Sequence, residues 1–168
     1  MLSSILKKSD CASCKFCCSF RRQSLWETPV FKKETAEQLA KLFPKVKFRP
    51  AGSTSVTVDL LDQYKTTNPD EEVPCPFLDK EQGCILPPEL KPFDCSIWPF
   101  RAVRVNKDKL AVALTPTCPV FNKAPKEKLI SLLQSGLGQK IIDYANENPD
   151  IIKESSDFLS DILFKQQM

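Results

Sequence analysis

The chain has 168 residues, of which 42% are hydrophobic and 27% are charged, and this balance is typical of a globular protein with one sizeable core. Its net charge of +3 is too small to indicate binding to nucleic acid or to a charged membrane surface. The chain contains eight cysteines and no histidine, which excludes a catalytic cysteine–histidine pair.

The N-terminal sequence MLSSILKKSD lacks the apolar run and small-residue cleavage site of a signal peptide. No stretch approaches the roughly 20 apolar residues of a membrane-spanning helix. We therefore expect a cytoplasmic protein with neither a membrane nor a nucleic-acid partner. Because cytoplasmic thiols are kept reduced, we expect the eight cysteines to be metal ligands or unpaired thiols. A disulfide framework is the less favoured alternative.

The first third of the chain predicts one helix and two strands. The segment WETPVFKKETAEQLAKLFP (26–44) has an approximate helical apolar stripe, with Thr28 as N-cap and Pro29 in the first turn. The segments KVKFRP (45–50) and STSVTVDLL (53–61) contain β-branched residues in rough alternation and are expected to form two short strands.

The middle of the chain is rich in proline and predicts hairpins. Residues 75–78 and 84–86 are expected to pair across the turn DKEQG, which would bring Cys75 and Cys84 close together. The segments FRAVRV (100–105) and KLAVALT (109–115) flank a polar turn and predict a second hairpin.

The C-terminal third predicts two helices. The first stripe has helical spacing, although Gly136 and Gly138 weaken its middle. Asn148-Pro149 interrupts the pattern before the second stripe. The first stripe consists of Ile130, Leu133, Leu137, Ile141 and Tyr144, and the second of Ile151, Ile152, Phe158, Leu159, Ile162 and Leu163.

Together these elements predict the α+β class: a small, loop-rich cysteine-cluster domain with short antiparallel strands and hairpins, plus C-terminal helices. We assign residues 1–122 to the cysteine-cluster part and residues 123–168 to a helical extension packed on it, within a single domain overall.

The segment CASCKFCC (11–18) places four cysteines within eight positions. Cys11, Cys14 and Cys17 form a double C-x-x-C, a spacing that turns the chain back so that sulfurs point to one side. Cys18 adds a fourth thiol. We expect either Cys17 or Cys18 to turn toward a second site or to remain a packed or spare thiol. The basic residues Lys15, Arg21 and Arg22 are interpreted as solvated charges that partly offset a negative thiolate–metal centre.

Four further cysteines lie beside turn-forming residues, at Cys75, Cys84, Cys95 and Cys118. Any one of them could be a buried structural thiol. Their coexistence with the N-terminal run favours metal ligation instead, with the run folding back onto the proline-rich middle. The predicted metal ligands are therefore Cys11, Cys14, Cys17, Cys18, Cys75, Cys84, Cys95 and Cys118.

The run CASCKFCC, followed later by CPFLDKEQGCILPPELKPFDCSIWPF (75–100), resembles the CxxCxxCC cysteine-cluster family, the YkgJ type of zinc- or iron-chelating domain. The likeness covers roughly residues 11–120 and implies a metal-chelating domain. This chain departs from the family pattern by one extra residue between Cys84 and Pro92. Lys91 stands where the family usually has arginine, and Ser96 stands where arginine often follows the cysteine.

Thiolate ligation excludes calcium and magnesium and favours zinc, copper(I) or an iron–sulfur cluster. Eight thiols suffice for two closed four-thiolate zinc sites, whereas the C-x2-C-x2-C spacing is that of bacterial ferredoxins and favours the cluster. We expect a metal-binding protein without a catalytic motif. The alternatives are a small redox enzyme or electron carrier that uses an iron–sulfur centre, and a zinc-stabilised protein-interaction module.

Overall fold

A computed structural model describes residues 2, 5, 8–14, 16–21, 24–106, 109–154 and 161–165. The side chains of residues 8, 11, 12, 106 and 161 are outside that description. The chain divides into two compact units, one of residues 11–96 (the cysteine unit) and one of residues 1–10 with 97–168 (the sheet unit). This division into compact units does not test the predicted boundary at residue 122, which stays a prediction.

The described residues combine helices with short, mainly antiparallel strands, and the predicted α+β class is confirmed. The α-helices are α1 (Lys8–Cys14), α2 (Lys33–Leu42), α3 (Phe93–Ile97), α4 (Pro119–Asn122), α5 (Lys126–Leu132) and α6 (Gly138–Glu147). The strands are β1 (Ser19–Arg21), β2 (Phe31–Lys32), β3 (Lys47–Pro50), β4 (Ser55–Asp59), β5 (Glu72–Pro74), β6 (Leu78–Asp79), β7 (Gly83–Cys84), β8 (Phe100–Asn106), β9 (Lys109–Leu114), β10 (Lys153–Glu154) and β11 (Asp161–Lys165). Short 3-10 helices span Phe16–Cys18, Leu61–Gln63, Pro88–Leu90 and Pro149–Ile151.

In the cysteine unit, three strands form an antiparallel sheet in the order β2-β4-β3, against which α2 packs. The predicted pairing of β3 with β4 is confirmed, with Phe48 opposite Val58. Apolar residues at alternate strand positions and on one stripe of α2 meet in a single core. That core consists of Phe20, Phe31, Ala36, Leu39, Val58, Leu60, Val73, Phe77 and Leu86.

The start of the first predicted helix was wrong. The helix begins at Lys33, because Phe31 and Lys32 pair with β4 as a strand. Thr28 is buried in the preceding turn, where its Oγ1 donates a hydrogen bond to the carbonyl oxygen of Ser24 at 2.9 Å. The hydroxyl therefore closes a turn ahead of the strand instead of capping α2.

In the sheet unit, four strands form a sheet in the order β10-β8-β9-β11. The predicted β8–β9 hairpin is confirmed, with Phe100 opposite Leu114. Helix α6 packs on β8 and β9, where its apolar stripe includes the buried residues Ile141 and Ile142. The first of the two predicted C-terminal helices is thus confirmed as a helical run over 126–147.

The second predicted C-terminal helix was wrong. Residues 161–165 form β11, which pairs antiparallel with β9 at the edge of the sheet. Leu163 is 9% exposed and its neighbour Ile162 is 41% exposed, an alternation that a strand produces. Phe158 and Leu159, on which the helical spacing depended, lie outside the described residues.

Two glycines shape the helical run. Gly136 has φ +111°, a conformation that residues with a side chain rarely adopt, and it interrupts the run between α5 and α6. Gly138 is the first residue of α6 and lies directly against the ring of Phe164 on β11. The absence of a side chain at 138 therefore allows the helix and this strand to approach closely.

We expect Gly138→Ala to lower the free energy of unfolding by about 1–3 kcal/mol, as for other overpacked cores. The new Cβ would lie 2.6 Å from Cγ of Phe164, so the ring or the strand has to move. Urea denaturation measures the change, with the exposed residue Lys140 replaced by alanine as the control. Combining Gly138→Ala with Phe164→Leu should recover part of the lost free energy of unfolding. If the effects of the two substitutions on that free energy simply add, the close approach of helix and strand is contradicted.

Among the described residues, no helix combines the length and the apolar character that crossing a membrane requires.

Candidate metal centre

A short antiparallel ladder joins the N-terminal cysteine run to the middle of the chain. β1 pairs with β5, and Ser19 lies opposite Pro74. The ladder continues by one residue, because the amide of Cys75 donates a hydrogen bond to the carbonyl oxygen of Cys18 at 2.7 Å. The backbones of Cys18 and Cys75 are therefore held side by side.

A hairpin then returns the chain toward Cys75. The amide of Leu78 donates to the carbonyl oxygen of Cys75 at 3.0 Å, which closes a turn over residues 75–78. Leu78 lies opposite Cys84 in the β6–β7 pair, as the sequence predicted for this hairpin. The amide of Ile85 donates to the carbonyl oxygen of Phe77 at 2.9 Å and extends the pairing.

These two connections place four thiols so that pairwise interactions link them. The thiols of Cys17 and Cys18 are hydrogen-bonded to each other. The Cys75 thiol interacts electrostatically with those of Cys84 and Cys17. All four residues are half-buried. The expectation that either Cys17 or Cys18 turns toward a second site or stays back stays a prediction.

Crowding and burial favour the protonated form of two of these thiols, those of Cys17 and Cys75. Burial, together with the neighbouring sulfurs of Cys84 and Cys17, raises the pKa of Cys75 from its ordinary value of 9.0 to about 12. The hydrogen bond with Cys18, followed by burial, raises the pKa of Cys17. A metal ion that binds here has to displace these protons, since thiolate is the ligating form.

One cation outside the cysteine run acts on these thiols. Lys91 acts on Cys17 and lowers the pKa of its thiol slightly. Arg21 instead binds Glu27, its Nε donating to the carboxylate at 2.7 Å and its backbone amide donating to the other oxygen at 2.8 Å. Lys15 and Arg22 lie outside the described residues.

The remaining cysteines do not belong to this group of four thiols. Cys14 is exposed at the end of α1, and the Cys11 side chain lies outside the described residues. Cys95 is half-buried on α3, where its amide donates to the carbonyl oxygen of Pro92 at 3.1 Å. Cys118 precedes α4 in the sheet unit.

Within the described side chains, no three of the Cys, Asp and Glu residues are already arranged to hold a metal ion. The interacting thiols of Cys17, Cys18, Cys75 and Cys84, called here the four-thiol cluster, supply the donor chemistry that zinc and iron prefer. The donor set thus fits a thiolate-bound metal.

Apolar packing supports the hairpin that carries Cys75 and Cys84. Both cysteines pack against the core of the cysteine unit. Phe77, between them in sequence, is 1% exposed, and its ring centroid lies 5.3 Å from that of Phe43 in an edge-to-face contact. The position of the two thiols therefore depends on the core.

Sequence reasoning missed the β1–β5 ladder. Its strands have only three residues each, and Glu72–Pro74 belongs to a proline-flanked acidic segment that suggests a loop. The signal that could have revealed these strands was a local alternation of apolar and more polar residues. Phe20 and Val73 are both buried, and both stand between residues that are more exposed.

No protein-family model, curated protein or solved structure matches this chain. The likeness to the cysteine-cluster family consequently depends on the motif residues alone and stays a prediction.

We expect Cys75 to react far more slowly with iodoacetamide than the exposed Cys14 when the protein is reduced and metal-free. At pH 8, a thiol whose pKa is about 12 is ionised in about one molecule in 10,000, and the thiolate is the nucleophile. Because folding raises this pKa, the protonated thiol stabilises the fold below about pH 9, and that stabilisation is lost as the pH rises toward 12. Peptide mass spectrometry over time measures both rates, and equal rates in the folded protein would contradict the burial of Cys75.

Proposed function

We propose that this protein binds a metal through a thiolate centre formed by the four-thiol cluster. One observation carries the proposal: the hydrogen bond from the Cys75 amide to the Cys18 carbonyl holds two cysteine-bearing segments together. A metal held by both segments would stabilise this contact, because the chain between them closes a long loop.

The chemistry of the thiolate donors limits which metals the site would bind. Thiolates select soft or borderline metals, and four of them complete a closed structural zinc site or hold an iron–sulfur cluster. Zinc would supply a structural clamp without redox chemistry, whereas a cluster would supply an electron-accepting centre. In a reducing cytoplasm, the location that we propose, the thiols would remain available as ligands.

The test is metal analysis of anaerobically purified, full-length protein, together with acid-labile sulfide and the visible spectrum. Stoichiometric zinc without sulfide is expected for the structural centre. Iron with an equal amount of sulfide, and a brown colour that bleaches with dithionite, is expected for a cluster. A folded, fully reduced protein that contains neither metal and takes up neither on reconstitution would contradict the proposal.

A further inference from the structure

We propose that the sheet unit binds a small oxyanion of the phosphate or sulfate type through Trp98, Arg101, Thr115 and Thr117, called here the donor patch. These residues lie at one end of the β8–β9 hairpin, where β8 begins and β9 ends. The inference concerns the sheet unit alone, whereas the four-thiol cluster belongs to the cysteine unit, so it does not depend on the proposed metal.

The strand register places Arg101 and Thr115 on the same face of the hairpin. Ala113 lies opposite Arg101 in the β8–β9 pair. The pairing continues past the end of β9, because the amide of Thr115 donates a hydrogen bond to the carbonyl oxygen of Pro99 at 3.0 Å. Since alternate residues of a strand share a face, Thr115 lies on the face of Ala113 and Arg101. Arg101 and Thr115 are therefore diagonal neighbours across the hairpin.

Two further contacts bring Trp98 and Thr117 to this end of the hairpin. The guanidinium of Arg101 lies over the ring of Trp98, with its Cζ 4.1 Å from the ring centroid. The amide of Thr117 donates a hydrogen bond to the carbonyl oxygen of Thr115 at 2.8 Å. The four residues are thus gathered by strand pairing, ring stacking and a tight turn.

The donor patch contains three buried side-chain atoms that can donate hydrogen bonds: Nε1 of Trp98, Oγ1 of Thr115 and Oγ1 of Thr117. Among the described residues, none of these three atoms has a hydrogen-bond partner. Thr115 is only 4% exposed. Buried polar atoms of this kind are rare because each costs free energy, and a ligand that accepts hydrogen bonds would remove the cost.

Charge favours an anion as that ligand. Arg101 is 2% exposed, and its guanidinium has five N–H donors, so it can bind an anion in addition to its other contacts. Lys153 pairs with Val103 in the β10–β8 pair, which places this buried lysine on the same face as Arg101. An oxyanion accepts hydrogen bonds at every oxygen and is attracted by both positive charges.

The nature of the donors and their burial define the ligand further. The indole and guanidinium N–H groups can only donate, so a ligand that only accepts matches them better than water, which also donates. Because Arg101 and Thr115 are almost completely buried, the site fits a small free ion better than the phosphoryl group of a large molecule.

The test is titration of reduced, full-length, 15N-labelled protein with inorganic phosphate after dialysis into phosphate-free buffer. Potassium chloride at equal ionic strength is the control. The chain has two tryptophans, so its spectrum contains two indole N–H signals, which Trp26→Phe assigns. We expect phosphate to shift the Trp98 signal saturably and to leave the Trp26 signal in place. No Trp98 shift beyond that in chloride, or equal shifts of both signals, would overturn the inference.

Thr115→Val removes the hydroxyl and keeps a side chain of similar shape. We expect phosphate affinity to fall at least about 10-fold, because a hydrogen bond to a charged group is lost. Stability in phosphate-free buffer should be unchanged or raised, since a buried hydroxyl without a partner disappears. Thr115→Ser retains the hydroxyl and should retain phosphate binding.

Thr57→Val is the matched control, because Thr57 is also fully buried but donates a hydrogen bond to the carbonyl oxygen of Pro29 at 2.7 Å. This variant should lose stability and keep its phosphate affinity. Trp98→Phe, which removes the indole N–H, replaces Thr115→Val if that variant does not fold. Phosphate affinity equal to that of the unmodified protein in either donor-patch variant would contradict the proposed site.

Discussion

Cys17→Ser is expected to weaken metal binding by about 100-fold or more, because the free energy of a four-thiolate zinc site, about 10–16 kcal/mol, is shared among its ligands. The Cys17 thiol interacts with those of Cys18 and Cys75, so its loss removes one sulfur donor from the four-thiol cluster. Competition with a chelator of known affinity measures the change. Cys75→Ser, on the other segment, should produce a loss of similar size.

Cys14→Ser is the matched control for this experiment. It makes the same chemical change three residues away in the same run, at an exposed thiol. We expect the metal content of this variant to remain close to that of the unmodified protein. If Cys14→Ser loses metal as completely as Cys17→Ser, the ligands follow the double C-x-x-C spacing instead of the four-thiol cluster.

Phe77→Ala is expected to lower the free energy of unfolding of the metal-free protein by about 3–5 kcal/mol, the usual cost of truncating a fully buried phenylalanine. The ring is in contact with Phe43, and its centroid lies 6.1 Å from that of Phe31. Removing it leaves a cavity beneath the hairpin that carries Cys75 and Cys84. Urea denaturation followed by circular dichroism measures the loss.

Phe16→Ala serves as the comparison for Phe77→Ala. Phe16 is 52% exposed, so its truncation should change stability by no more than about 0.5 kcal/mol. The Phe77 variant should also bind metal more weakly than the Phe16 variant, because its hairpin is less firmly held. Equal stability of the two variants would contradict the role of Phe77 in supporting the centre.

The fold could be predicted from sequence where the periodicity was sustained over a whole element. The β3–β4 and β8–β9 pairs and the helical run over 126–147 are of this kind. Prediction failed where a partner strand decided the conformation. Residues 161–165 are a strand because the edge of β9 pairs with them, and such long-range pairing leaves no trace in local spacing.

The candidate site could be predicted in part. Cysteine spacing and the turn DKEQG indicated that Cys75 and Cys84 approach each other across a hairpin, and the β6–β7 pair supports this. The ladder that joins Cys18 to Cys75 could not be inferred, since a strand of three residues is too short for an alternation pattern to be distinctive. The contact between Cys17 and Cys18 depends on side-chain directions at the end of a 3-10 helix, which spacing does not define.

X-ray absorption at the zinc or iron edge of the reduced, full-length protein tests the thiolate centre most directly. The proposal predicts a first shell of sulfur at about 2.3 Å, with four sulfurs around each metal ion. The Cys17→Ser and Cys75→Ser variants should each reduce the edge intensity of the purified protein. A first shell of oxygen or nitrogen, or a full sulfur shell that persists in both variants, would contradict the assignment of Cys17, Cys18, Cys75 and Cys84 as ligands.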